Sequence, residues 1–153
     1  MPLIHVHVPQ GSLTSDDKRV LIERVTRAAV EAEGVPVDDM TWVLIHEIAR
    51  DGWGERGKPL AVGKSRPIVE LATPVGWTTM ARKREMIQRV AAAAAEAAGT
   101  NGVHYVVIHD VPDGGWGWEG RQVPRSVYQR LAAPDLAPTA APDGERHAVV
   151  TGA

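Results

Sequence analysis

Residues 2–11 read PLIHVHVPQG, and residues 67–76 read PIVELATPVG. The two segments align with a constant offset of 65 positions, which places proline on proline at both ends and Gly11 on Gly76. Aliphatic residues coincide between the prolines, and the alternation in the first segment is typical of a β-strand. A fixed-offset repeat indicates a duplicated structural unit, so we interpret the chain as two copies of one motif.

A second pair of matching segments lies later in each copy. Residues 41–48 contain VLIHE and residues 105–111 contain VVIHD, and we predict a second strand over each range. The Gly-Trp-Gly turn of residues 52–54 recurs at residues 115–117. The offset here is 63 positions, so the second copy is slightly shorter between its two landmarks.

Each copy carries a helical pattern between its two strands. Thr14 or Ser15 can cap the first helix, and Asp17 follows Thr14 by three residues as in a capping box. Gly34 ends this helix. Gly99 ends the second helix in the same way. The helical spacing predicts that these residues face the core: Leu21, Val25, Ala28, Ala29 and Ala32 in the first helix, and Ile87, Val90, Ala91, Ala94 and Ala98 in the second.

Strand–helix–strand units with a long crossover pair their strands in parallel, with a right-handed connection. We therefore predict an α+β fold in which two tandem β-α-β units form one four-stranded sheet with both helices on one face. The other face is expected to be apolar and uncovered, which predicts oligomerisation.

The duplicated units are expected to form one domain over residues 1–132, with unit one at 2–60 and unit two at 67–124. A short helix could form over residues 127–132. Residues 133–153 are rich in Ala, Pro, Asp and Gly and are predicted to be a C-terminal tail.

Bulk composition indicates an ordinary globular chain and excludes several classes of partner. The net charge of −2 and a pI near 6.3 give no global attraction to nucleic acid or to an anionic membrane. Cys is absent, which excludes disulfides and thiol chemistry. We see neither a signal peptide nor an apolar run long enough to cross a bilayer, so a cytoplasmic protein is expected.

A Met-Pro start followed by an alternating strand, a Gly turn and an amphipathic helix resembles the 4-oxalocrotonate tautomerase family. The resemblance covers residues 2–60 and 67–124, and the doubled unit is similar to the fused members, which assemble as trimers. It implies keto–enol proton transfer on a small molecule, in a homotrimer, with no cofactor and no metal.

The resemblance makes Pro2 the catalytic base. Proline inside a chain is a tertiary amide, whereas proline at a free N-terminus, after removal of Met1, is a secondary amine that accepts a proton. Burial or nearby cations lower the pKa of such an amine toward the operating pH, where a general base works best. Pro67 is internal and cannot serve as a base, so the resemblance implies one active site per chain.

The family's carboxylate-binding arginines are not retained. The matching positions hold Ser12 and Trp77 after the first-strand turns, and Trp42 and Tyr105 early in the second strands. An aromatic ring cannot replace a bidentate guanidinium, so a larger, more hydrophobic or aromatic substrate is expected. The resemblance implies that the substrate contacts Pro74, Trp77 and Trp116, and Trp42 or Tyr105 of a neighbouring chain, with Arg82, Arg56 and Arg121 as candidate replacements for the lost cations.

Three readings of the function stay open. The first is an isomerase that works through the Pro2 amine. The second is a relative that uses the same amine for lyase-type chemistry such as decarboxylation, hydration or dehalogenation. The third is a trimeric binding or biosynthetic protein without proline catalysis, which applies if Met1 is retained. His5 and His7 share one strand face, but without a third ligand at a recognisable spacing we interpret them as ordinary strand residues.

Overall fold

The structure, a computed structural model, describes residues 2–131. Its main sheet has four strands in the order β2-β1-β5-β6. These strands are β1 (Leu3–Pro9), β2 (Trp42–Ile48), β5 (Ile68–Pro74) and β6 (Tyr105–Val111). Two hairpins lie outside the sheet, formed by β3 (Gly54–Glu55) with β4 (Lys58–Pro59) and by β7 (Gly117–Trp118) with β8 (Arg121–Gln122). The helices are α1 (Ser15–Glu33), α2 (Met80–Ala98) and α3 (Arg125–Leu131).

The predicted tandem β-α-β architecture is confirmed. Strand β1 runs parallel to β2 and β5 runs parallel to β6, while β1 and β5 meet antiparallel with Leu3 opposite Ala72. The two units are therefore related by a rotation that places the start of β1 beside the end of β5. Equivalent residues of the two units consequently lie at opposite ends of the sheet.

The predicted helix ends are also confirmed. The Thr14 hydroxyl accepts a hydrogen bond from the Asp17 amide at 3.1 Å, and the Thr14 amide donates to the Asp17 carboxylate at 2.9 Å, which completes a capping box. Helix α1 stops at Gly34 with φ of 68°, and α2 stops at Gly99 with φ of 62°. Both glycines adopt the left-handed conformation that only glycine reaches without strain.

The core lies between one face of the sheet and the two long helices. Every second residue of the central strands points into it, and the predicted stripe of α1 is fully buried. The prediction for α2 was wrong at two positions, since Ile87 remains 40% exposed and Ala91 only partly buried, whereas Met86 is 0% exposed. The row of α2 that faces the sheet starts at Met86 and repeats every fourth residue, which turns Ile87 toward the flank.

Met86 and Ile87 are adjacent and test this packing directly. We expect Met86→Ala to lower the free energy of unfolding by about 2–4 kcal/mol, because it leaves a cavity in a closely packed core. Ile87→Ala is the matched control and should change stability by less than about 1 kcal/mol. Urea denaturation of both variants measures the difference. Equal losses would show that the helix is rotated relative to this description.

The uncovered face of the sheet differs from the expectation, because it is mixed rather than apolar. Four histidines and one acid line its middle, among apolar residues at the strand ends. His5 Nδ1 lies 2.7 Å from His46 Nε2, and His7 Nε2 lies 3.3 Å from the Glu70 carboxylate. His109 Nε2 approaches the other Glu70 oxygen at 3.6 Å. Alternation of β1 places its two histidines on this face, with its aliphatics on the other.

This histidine cluster predicts a pH-dependent stability. Burial lowers the pKa of His5 below its usual value of 6.5, and the neighbouring His46 and His7 lower it further. The unfolded chain therefore binds this proton more readily, so the stabilisation is present above about pH 6.5 and is lost as pH falls through the lower native pKa. We expect the melting temperature to fall less between pH 7.5 and 5 in His5→Gln than in the original protein. Parallel curves for the two proteins would contradict this.

Helix α3 begins two residues before the predicted short helix, and the predicted tail of residues 133–153 lies outside the described residues. Among residues 2–131, no helix combines the length and hydropathy that a membrane span requires.

Candidate active site

Pro2 lies buried at the start of β1, at the junction of the two units. Its carbonyl oxygen accepts a hydrogen bond of 3.2 Å from the Trp42 amide, which fixes the backbone against β2. Continuing the antiparallel register from the Leu3–Ala72 pair brings Pro2 level with Thr73 of β5. The end of β5 and the turn after it therefore pass beside Pro2.

That turn positions Trp77. Gly76 adopts φ of 77°, and the Trp77 amide closes the turn by donating to the Pro74 carbonyl at 3.0 Å. The Trp77 ring is 2% exposed and meets Tyr128 of α3 edge to face, with 6.4 Å between ring centroids. Trp116 packs against this pair, and we call Trp77, Tyr128 and Trp116 the aromatic cluster.

Helix α3 closes this end of the molecule through Tyr128. The Tyr128 hydroxyl donates a 2.7 Å hydrogen bond to Asp113. Burial and this bond raise the pKa of Tyr128 to about 12, so the phenol stays protonated. Tyr128 was not predicted as a site residue, because its only signal in the sequence is a place in a short helical pattern.

A buried carboxyl group lies at the same end. Glu33 is the last residue of α1 and is 2% exposed. Because α1 runs back against β1, its C-terminal end returns to the Pro2 end of the sheet. Burial raises the pKa of Glu33, while a hydrogen bond from the Trp77 side chain and the charge of Arg82 act in the opposite direction. The Arg82 guanidinium also donates to the Glu33 backbone carbonyl.

Two buried polar side-chain atoms of the second unit also bear on the candidate site. Thr73 Oγ1 and Trp116 Nε1 have no hydrogen-bond partner among residues 2–131. An unsatisfied buried donor destabilises a fold by about 1–3 kcal/mol, so such groups point to a ligand-binding role. Both belong to the second unit, as the resemblance implied for the surroundings of Pro2.

The structure brings most of the proposed substrate-binding residues to the Pro2 end. Pro74, Trp77, Trp116 and Arg82 lie there, and Arg121 lies exposed on the nearby β7–β8 hairpin. Two aromatic residues occupy the ends of the edge strands. Trp42 is 59% exposed beside the Pro2 carbonyl, and Tyr105 is 67% exposed at the opposite end of the sheet.

Tyr105 and Arg56 lie beside the other end of the sheet, near Pro67, so within one chain they do not meet Pro2. Either residue reaches a Pro2 site only from a second chain. Within residues 2–131, no group of three or more His, Cys, Asp or Glu is arranged to hold a metal ion.

Comparison with known proteins agrees with this architecture. The family described as tautomerase enzymes matches residues 2–63. The 2-hydroxymuconate tautomerase of Comamonas testosteroni is 37% identical over 57 residues, which cover 37% of this chain and 87% of that protein.

Solved structures match both units together. A native fused 4-OT has a TM-score of 0.71 and 25% identity, covering 78% of this chain and 94% of that one. A fused 4-OT solved as an asymmetric trimer has a TM-score of 0.69 and 27% identity, with the same coverage of 78% and 94%. The short relative corresponds to one unit and the fused structures to two. By sequence and by its duplicated fold, the chain belongs to the tautomerase family of enzymes.

Proposed function

We propose that the chain is an isomerase in which the Pro2 amine transfers a proton between carbon and oxygen of a small keto–enol substrate. The observation that supports this most directly is the burial of Pro2 at the end of the sheet that also holds the buried Glu33 carboxyl group and the aromatic cluster. Buried titratable groups whose pKa is shifted are common at active sites.

Each described group has a role in this reaction. The neutral Pro2 nitrogen accepts the enol proton, and the resulting pyrrolidinium delivers a proton to the α-carbon. Thr73 Oγ1 and Trp116 Nε1 donate hydrogen bonds to the substrate oxygen as negative charge develops on it. The Glu33 carboxylate stabilises the protonated amine between the two steps.

The site favours an aromatic or hydrophobic substrate. Trp77 and Trp42 stand where relatives are expected to place arginines, and the Arg82 guanidinium is already bonded to Glu33. A planar aryl group that stacked on the aromatic cluster would gain about 0.5–1.5 kcal/mol beyond its buried area. An aryl enolpyruvate is therefore a better probe than an aliphatic dicarboxylate.

We propose further that the protein is a cytoplasmic homotrimer that uses the open sheet face as its interface. The similar fused 4-OT structures are trimers. The exposed ring of Trp42 stands at the start of the edge strand β2, where a neighbouring chain would cover it. Light scattering on the purified protein should return three times the chain mass.

Two measurements test the assignment together. Intact mass should show that Met1 is absent, so that Pro2 carries a free amine. Ultraviolet absorbance should show enol-to-keto conversion of an aryl enolpyruvate well above the buffer rate. A retained Met1 with no conversion would favour the binding or biosynthetic reading. Product formation by decarboxylation instead of isomerisation would favour the lyase reading.

A further inference from the structure

A wide cleft lies at the end of the sheet opposite Pro2. It has a volume of about 840 Å³ and surrounds the start of β5, where the repeat places Pro67. The duplication therefore supplies a second site that is equivalent to the Pro2 site in position. Its proline nitrogen is a tertiary amide and cannot act as a base.

The cleft is strongly cationic. Four exposed basic side chains line it against a single acid, although the whole chain has a net charge of −2. The basic residues are Arg56, Lys58, Lys64 and Arg66. Within residues 2–131, Arg56, Lys58 and Arg66 take part in no ion pair. Positive charges gathered in a cleft raise the local concentration of anions.

The one acid is already engaged. Glu55 Oε1 accepts hydrogen bonds from the Ser65 hydroxyl and from Trp53 Nε1, the latter at 3.2 Å. His104 Nε2 lies 3.3 Å from the same oxygen. These contacts fix the carboxylate against the wall of the cleft, and the surrounding cations remain in excess.

The two hairpins show that the ends of the sheet have diverged. Arg56 has φ of 51° and its repeat partner Glu119 has φ of 49°, so both occupy a left-handed position in the turn. Asn or Gly fits such a position with less strain. Both units have a charged residue at this position, but the charge is positive only for Arg56, which lies beside the Pro67 cleft.

The cleft also offers apolar surface. Tyr105 and Ile68 form part of its lining, and the Tyr105 ring is 67% exposed. An inorganic ion would contact the cations and leave these side chains in water. An organic anion would cover both, and arginine binds carboxylates with paired hydrogen bonds.

We propose that the cleft beside Pro67 binds a small organic carboxylate through Arg56 and Arg66, with its carbon skeleton on Tyr105, and does not convert it. This binding site is independent of the Pro2 chemistry. It makes the second unit's counterpart of the Pro2 position a ligand site.

Trp53 and Trp77 provide separate reporters for the two ends of the sheet, because both indoles are buried and each belongs to one unit. TROSY spectra of the ¹⁵N-labelled protein resolve indole N–H groups, and Trp53→Phe and Trp77→Phe assign these two. Benzoate should shift the Trp53 resonance in a saturable manner, and the affinity should fall as salt increases. Benzyl alcohol, which keeps the ring without the charge, should cause no saturable shift, and inorganic phosphate should bind more weakly than benzoate.

Substitutions test whether benzoate binds in the Pro67 cleft. The double variant Arg56→Ala, Arg66→Ala should weaken benzoate binding at Trp53 by about tenfold or more, since it removes two charge contacts. Arg27→Ala, on the outer surface of α1, should leave the affinity within about twofold. Unchanged affinity in the double variant, a shift confined to Trp77, or equal binding of phosphate and benzoate would each overturn the proposal. A Pro2→Ala variant should still bind benzoate at Trp53, which separates this result from the fate of the proposed isomerase activity.

Discussion

Replacing Pro2 by alanine is expected to lower kcat/KM for aryl enolpyruvate conversion by about 10²- to 10⁴-fold. A positioned general base contributes a rate factor of this size. The variant keeps a terminal amine, but that amine is primary and is no longer held in a five-membered ring, so its direction and basicity change. Stopped-flow or steady-state absorbance measures the effect, with intact mass confirming the processed terminus of each protein.

Pro67 supplies the matched control, since it is the repeat partner of Pro2 and is also buried. Its nitrogen is an amide, so Pro67→Ala should retain kcat/KM within about threefold once stability is taken into account. Comparable losses in both variants would show that the prolines act through folding. Full activity in Pro2→Ala would remove the terminal amine from the mechanism.

Trp77→Ala should have the largest effect on stability, about 3–5 kcal/mol, as for other buried tryptophans truncated to alanine. The change removes the edge contact with Tyr128 and the hydrogen bond to the buried Glu33 carboxyl. Loss of this wall should also abolish conversion of the aryl substrate. Chemical denaturation followed through the remaining tryptophans measures the stability.

Trp77→Phe separates packing from hydrogen bonding. It retains an aromatic ring but removes the indole N–H, so we expect a smaller destabilisation of about 1–2 kcal/mol. If both variants were as stable as the original protein, the aromatic cluster would not be packed as described. If Trp77→Phe were as damaging as Trp77→Ala, the hydrogen bond to Glu33 would outweigh the packing.

The elements of the fold were predictable because their signals are local. Alternation in β1 and the capping residues Thr14 and Gly34 depend on neighbours in sequence, and the structure confirms them. The rotation of α2 was predicted wrongly, because Met86 and Ile87 are both apolar and the local pattern does not show which of them begins the buried row. Tertiary packing against the sheet decides between them.

The site was predictable only where a repeat or a family pattern marked it. Pro2 and Trp77 were predicted in that way, and the structure places both at the same end of the sheet. Glu33 was missed because an acid in the last turn of a helix usually faces solvent, and its burial arises from Trp77 and Arg82 in the other unit. Tyr128 depends in the same way on contacts with residues distant in sequence.

The antiparallel junction of β1 and β5, which joins two units in one chain, also affects how such a protein can evolve. In an assembly of identical single units, each mutation appears at every equivalent position, so an alteration that suits one ligand is imposed on all sites. Joining two units in one polypeptide frees each position to mutate alone. Arg56 and its repeat partner Glu119 already carry opposite charges, so directed evolution of the Pro67 end should be able to proceed without altering residues around the Pro2 amine.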